Sequence, residues 1–263
     1  MNKIYKEFYK NKLFTIDDAK KIIKNYQVLR NNLTRLHKQK LIKKLKGGLY
    51  YIAPLDNDDF QPDPIHVASR MKEDSIITGI TALKVLQLTN QDSSVLYIVS
   101  KHQSKDRIDK YTYKIIKGQQ SFGTTKAQYQ TPYGTIELKI TDIERTLIEC
   151  IRTRSIKAID LINIIRAKQP QVDPKKILTY LEKYNMGILY NKVGLLLEVC
   201  SSQLHLDPSD IDKIRKKLSK KIYYYKEPGL RLIRPRYFYN KEWNIMLPEQ
   251  LHNLVQSLKP QVQ

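Results

Sequence analysis

The chain has 263 residues, 41% of them hydrophobic, and a formal net charge of +21. That length supports a full core in one or two domains without disulfide or metal staples, and no apolar run approaches a membrane span. The basic start, MNKIYKEFYKNK, is followed by no apolar signal core, so no export is expected. The two cysteines, Cys150 and Cys200, each close an apolar run. They read as reduced core residues of a cytoplasmic protein, because neither has a second Cys or His at metal-ligand spacing.

A balance this basic points to a polyanionic partner. AT-rich coding also enriches lysine, but drift would spread the charge evenly. Residues 1–55 hold fourteen Lys and Arg against three acids, Glu7, Asp17 and Asp18. About half of the excess thus lies in the first fifth of the chain.

In chain order, Asn2 to Lys12 reads as a short helix with i,i+4 pairs Ile4–Phe8 and Tyr5–Tyr9. TIDD sets Thr15 as an N-cap with Asp18 three residues on, a capping box, and the helix it opens stops near Asn25. The third helix, Gln27 to Gln39, buries Leu29, Leu33 and Leu36 on one face. Its other face carries Gln27, Arg30, Asn31, Thr34, Arg35 and Lys38 and not one carboxylate. Solvated helices usually mix charge signs for i,i+4 pairing; a purely cationic and amide face suits phosphates and base edges.

KKLKGGLYYIAP then joins a cationic strand (Ile42–Leu45) to an apolar one (Leu49–Ala53) through Gly47-Gly48. A type I′ turn needs positive φ at both central residues, which glycine adopts without strain. Lys43, Lys44 and Lys46 sit on or beside this turn, and Leu49, Tyr51 or their neighbours are expected to pin the hairpin to the helices. Three helices and a glycine-tipped hairpin predict a winged helix-turn-helix, with a recognition helix for the major groove and a wing for phosphates.

PLDNDDFQPDP reads as a linker; its aspartates lack the glycine and distal glutamate of a calcium loop. Beyond it, DPIHVASRMK is helical, SIITGITALKVLQLT is a short strand then a helix, and VLYIVS, DKYTYKIIKG and GTIELKI are strands. Thr141 is expected to cap TDIERTLIEC, with Glu144 closing the box. Helices follow over IKAIDLINIIRAK, DPKKILTYLEKY (Asp173 N-cap, Pro174 N1), NKVGLLLEVC and DPSDIDKIRKKLSK. The tail LRLIRPRYFYNKEWNIML reads as short strands and turns. The fold class is α+β: a winged helix-turn-helix over 1–55, then a larger mixed α/β C-terminal domain over 62–263.

No P-loop, Rossmann glycine fingerprint, HExxH or GxSxG occurs, and His37, His66, His102, His205 and His252 are scattered. No catalytic residue, metal site or cofactor is assigned, and the chain reads as a non-enzyme. Arg145, flanked by core residues, reads first as a fold-holding arginine paired with a carboxylate.

Several stretches, in order, resemble the AbiEi family, transcriptional regulators that act as antitoxins of abortive-infection, type IV toxin–antitoxin systems. They are LTRLHKQKLIKKLKGGLYYI, ITGITALKVLQLT, YGTIELKITDIERTLIEC, LTYLEKYNMGILYNKVGLLLE and YNKEWNIML, spanning Thr15 to Leu247; Val193-Gly194 stands where Leu-Gly is more usual. The resemblance implies a winged helix on inverted repeats of its own promoter. It also implies a C-terminal domain that helps neutralise a nucleotidyltransferase-like toxin. By position the DNA-facing residues would be Gln27, Arg30, Asn31, Thr34, Arg35 and Lys38, with wing lysines Lys43, Lys44 and Lys46. The expected state is a monomer or a DNA-assembled dimer. The competing reading is a stand-alone regulator whose C-terminal domain dimerises or senses a ligand. The basic runs KIRKKLSKK and RLIRPR either add DNA contacts or form a solvated surface.

Overall fold

The computed structural model describes residues 2–53, 60–118, 121–168, 171–229 and 235–257. The aspartate cluster of the expected linker (54–59) and most of RLIRPR (230–234) lie outside the described residues.

The first elements form where local signals and apolar spacing agree. Asn2 caps α1 (Lys3–Phe8) by accepting from the Ile4 N–H at 2.9 Å. After β1 (Leu13–Thr15), Thr15 and Asp18 close the reciprocal capping box that starts α2 (Ile16–Ile22). Asn25 is not the stop of α2 but the N-cap of α3 (Tyr26–Lys38), accepting from the Val28 N–H at 3.1 Å. Its short side chain satisfies a donor that the first helical turn leaves unpaired. Leu29, Leu33 and Leu36 are buried with Ile4, Phe14, Ala19, Ile42 and Ile52 in one apolar cluster; each leucine contributes about 1.5–3 kcal/mol of transfer free energy.

The hairpin joins β2 (Ile42–Lys46) to β3 (Leu49–Ile52) with Lys46 opposite Leu49, leaving Gly47 and Gly48 as the loop at φ +52° and +86°. A bulge between Lys44 and Lys46 shifts the pairing by one residue. The sheet order is β1-β3-β2, so a strand not expected from the sequence, β1, completes it. Ile42, Tyr50 and Ile52 pack the hairpin on the helices, so of the expected set it is the neighbours of Leu49 and Tyr51 that meet the helical core. Tyr51 faces the other way, its ring 5.9 Å from Phe60, because residues one apart in a strand point to opposite sides.

Next come α4 (Pro64–Arg70), β4 (Ile76–Ile77), α5 (Gly79–Val85), β5 (Val95–Ser100), β6 (Ser104–Ile108), β7 (Tyr111–Lys117), β8 (Thr124–Thr131) and β9 (Gly134–Thr141). The strands form one sheet of order β6-β7-β5-β4-β9-β8, in which β5 and β7 run parallel and β6 returns antiparallel at the edge. The remaining elements are α6 (Ile143–Thr153), α7 (Ala158–Ala167), α8 (Pro174–Tyr184), α9 (Gly187–Val199), α10 (Ser201–Leu204), α11 (Pro208–Arg215), β10 (Tyr223–Tyr224), β11 (Tyr237–Asn240), β12 (Ile245–Pro248) and α12 (Glu249–Ser257). The last three strands make a small sheet of order β10-β12-β11.

The architecture is mixed α+β, in two compact units. One comprises residues 1–77, 92–120 and 126–140, the other 78–91, 121–125 and 141–263.

In the second unit the cap of α6 is Asp142, not Thr141: its carboxylate accepts from the Arg145 N–H at 3.0 Å. Thr141 instead shares buried hydroxyl contacts with Thr146 at 2.7 Å and Thr78 at 3.2 Å. Asp173 and Asp207 cap α8 and α11, each ahead of a proline. Arg145 is fully buried; it donates to the Phe122 carbonyl, lies 4.6 Å from the Phe122 ring centre and 3.9 Å from Glu149. Gly123 lets it do so, since a Cβ there would fall 2.8 Å from the Arg145 Cδ. Cys150 and Cys200 are free and buried, and burial pushes their thiols up to about 12 and about 11.

Candidate nucleic-acid interface

Burying Leu29, Leu33 and Leu36 turns the rest of α3 outward. Gln27, Arg30, Asn31, Thr34, Arg35 and Lys38 are all exposed. They form two rows at helical spacing. Arg30, Thr34 and Lys38 line a groove of about 700 Å³ closed on its far side by Lys44 and Tyr50 of the hairpin. Gln27, Asn31 and Arg35 form the row beside it, with the Gln27 amide donating to Asn31 Oδ1 at 3.3 Å. Arg35 leans on Asn32, at 3.3 Å, and Asn32 is held by the Val28 carbonyl at 2.8 Å.

No carboxylate lines the groove, and among the described residues Arg30, Lys38 and Lys44 form no ion pair. The nearby acids of α2 are turned to other cations: Asp17 to Lys20 at 2.8 Å, and Asp18 to Lys21 and Arg70. Burial opposes ionisation of Asp18, but hydrogen bonds from Thr15 and the charge of Arg70 outweigh it and hold the carboxyl below its usual range. With Asp18 engaged by Lys21 and Arg70, no carboxylate of α2 pairs with Arg30 or Lys38 among the described residues.

The three hairpin lysines do not act alike. Lys44 reaches the groove, and Lys43 lines a second, smaller recess of about 410 Å³ with His37, Lys40 and Ile42. Lys46 pairs with Asp106 of β6, within the same compact unit. Part of its charge is already answered there.

The groove also holds residues that the sequence did not mark as functional. Tyr26, 60% exposed, His37 and Tyr50 line it. Tyr26 lies four residues before Arg30 and His37 three after Thr34, so helical spacing placed both on this face. Burial raises the Tyr50 phenol above its ordinary value, keeping it a neutral donor.

Of the other scattered histidines, His66 is buried and has Nδ1 2.8 Å from the Tyr133 hydroxyl; Asp63, beside it, caps α4. Burial, aided by the Arg70 charge, pushes this imidazole down to about 4. Among the described residues no group of three or more His, Cys, Asp and Glu is placed to hold a metal ion, and no helix is long and apolar enough to cross a membrane. No family model matches the sequence, and no curated protein matches it.

Proposed function

We propose that the chain is a sequence-specific DNA-binding repressor whose first residues act as a winged helix-turn-helix. In this reading α3 is the recognition helix, about 20 Å long at 1.5 Å per residue, and it lies in the major groove. Gln27, Arg30, Asn31 and Thr34 read base edges, where arginine suits guanine and asparagine or glutamine suits adenine. Arg35, Lys38, Lys43 and Lys44 hold phosphates, and Lys46 joins them by exchanging Asp106 for the backbone. The observation that carries this reading is the exposed, carboxylate-free face of α3 beside the lysine-bearing hairpin. Two copies on an inverted repeat would be spaced by one helical turn, roughly 34–36 Å.

The resemblance to AbiEi regulators extends the proposal: the protein represses its own operon and is the antitoxin of a nucleotidyltransferase-like toxin. Footprinting on the DNA upstream of its own gene, with and without the product of the neighbouring gene, tests the first part. The expected result is protection of an inverted repeat with affinity that falls steeply with salt; equal affinity for promoter and random DNA would refute it. Co-expression with the neighbouring gene product tests the second. Rescue of growth supports the antitoxin role, and a neighbour unrelated to nucleotidyltransferases favours the stand-alone regulator.

A further inference from the structure

The small sheet of the second unit carries a group of tyrosines on one side, and on the other side Phe238, 37% exposed, stacks on His252. Pairing sets Tyr224 and Tyr239 on either side of Met246 in one row, and Tyr237 opposite Pro248 in the next. Residues two apart in a strand share a side, so Tyr224, Tyr237, Tyr239 and Met246 stand together. The Tyr224 and Tyr237 rings meet edge to face with centres 4.8 Å apart. On the opposite side Ile245 and Leu247 are fully buried. Tyr224 and Tyr239 nonetheless keep 48% and 49% of their surface exposed. The Tyr239 hydroxyl donates to Asn244 at 2.9 Å, which holds that ring in place.

Cations outnumber acids around this face, where Glu242 and Glu249 are also exposed. Lys220, Lys221, Lys226, Arg236 and Lys241 are exposed and flank the strands, and none forms an ion pair among the described residues. The basic run of α11 and just beyond behaves differently: Lys213 pairs with Asp210, Arg215 with Glu198 and Lys217 with Glu182. Glu227, an acid within the aromatic stretch, is turned away to accept from the Ala158 N–H at 2.8 Å.

We propose that this face binds single-stranded nucleic acid, with Tyr224 and Tyr239 stacking on successive bases and the flanking cations following the backbone. A duplex keeps its base faces inside the stack, so exposed tyrosines gain nothing from it beyond charge. Unpaired bases present π-faces that a flat aromatic strand surface accepts whatever the sequence. A protein partner would have to desolvate the unpaired cations, and the centres of protein interfaces are depleted of charge. This site is separate from the α3 face proposed to read duplex DNA.

The test is fluorescence anisotropy of labelled oligo(dT) and oligo(U) with the full chain and with Tyr224→Ala, Tyr239→Ala and the two Tyr→Phe variants. Each alanine is expected to weaken binding about tenfold or more, as loss of a stacked base does. Phenylalanine should hold near the parent affinity, and duplex operator binding should not move. The two oligomers tell DNA from RNA preference. Arg236→Gln, which leaves the aromatic rows intact, should lower the salt slope by about one charge. Alanine variants that bind both oligomers as the parent does would overturn the proposal. So would variants that alter only self-association in sedimentation velocity, which would make the face a contact between copies.

Discussion

Two helices of this protein handle charge in opposite ways. On α3, Arg30 and Lys38 project from an apolar stripe into an open groove and meet no carboxylate. On α6, Arg145, Glu144 and Glu149 point inward and meet their partners within the protein. Arg145 donates to the Phe122 carbonyl, Glu149 accepts from Arg152 at 2.7 Å and from the Tyr184 hydroxyl at 2.5 Å, and Glu144 meets Lys176 at 3.0 Å. Buried charges need every partner present, since their desolvation is otherwise uncompensated. Exposed, unpaired cations contribute little to folding and retain their attraction for an outside anion. Charged side chains on one helix therefore do not share one role; burial and pairing tell them apart.

The largest test of that contrast is Arg145→Ala, which takes the donor from the Phe122 carbonyl, removes one of the two cations beside buried Glu149 and leaves a void beside Phe122. It should destabilise the fold by about 3–5 kcal/mol, read by urea unfolding; a loss below about 1 kcal/mol would mean the pair is dispensable. His66 extends the contrast to pH. Its folded imidazole sits near about 4, against about 6.5 in an unfolded chain. A lowered histidine leaves stability intact above the unfolded value and erodes it as pH falls toward the folded one. The parent should therefore lose about 2 kcal/mol from this group between pH 7.5 and pH 5. His66→Gln should flatten that part of the profile, and parallel profiles would reject the assignment.

Arg30→Ala should do the reverse of Arg145→Ala. Stability should change by less than about 0.5 kcal/mol, while specific DNA binding weakens by about 1–3 kcal/mol with relaxed preference at one base pair. An equal loss on operator and random DNA in a gel-shift titration would remove Arg30 from the base-reading set. The smallest effect belongs to Asp106→Asn. An exposed ion pair is worth about 0–1 kcal/mol, so folding should barely respond. With Lys46 released, affinity for any duplex should rise slightly at low salt, and unchanged affinity would show that Lys46 never reaches phosphate.

Much of the first unit's local structure could be read from residues because its signals are local. The Thr15–Asp18 box, the Leu29–Leu33–Leu36 stripe and the Gly47-Gly48 turn each specify themselves within a few positions. The α3 face was legible for the same reason: a helix with one apolar stripe has only one other side to show. What escaped were long-range matters. Leu13–Thr15 is too short to announce a strand and exists because β3 offers it an edge. Asp142 rather than Thr141 caps α6 because the Thr141 hydroxyl is taken up by Thr78 and Thr146. The partnership of Lys46 with Asp106 joins residues sixty positions apart, and spacing carries no trace of it. Tyr26 and His37 line the same groove and were left out although helical spacing sets them beside Arg30 and Thr34.

The extra residue at Leu45 has a mechanical meaning. In an unbroken ladder Lys44 and Lys46 would lie on the same side of the ribbon, since strand side chains alternate. The slip puts Lys44 across from Tyr50 and Lys46 across from Leu49, so the two ammonium groups leave by opposite sides. One is handed to the outside world and the other is tethered to the body of the protein. Deleting Leu45 would leave Lys44 and Lys46 as neighbours in a regular ladder, still facing opposite sides, so it is by taking up this one extra residue outside the pairing that the hairpin keeps reach and anchorage apart.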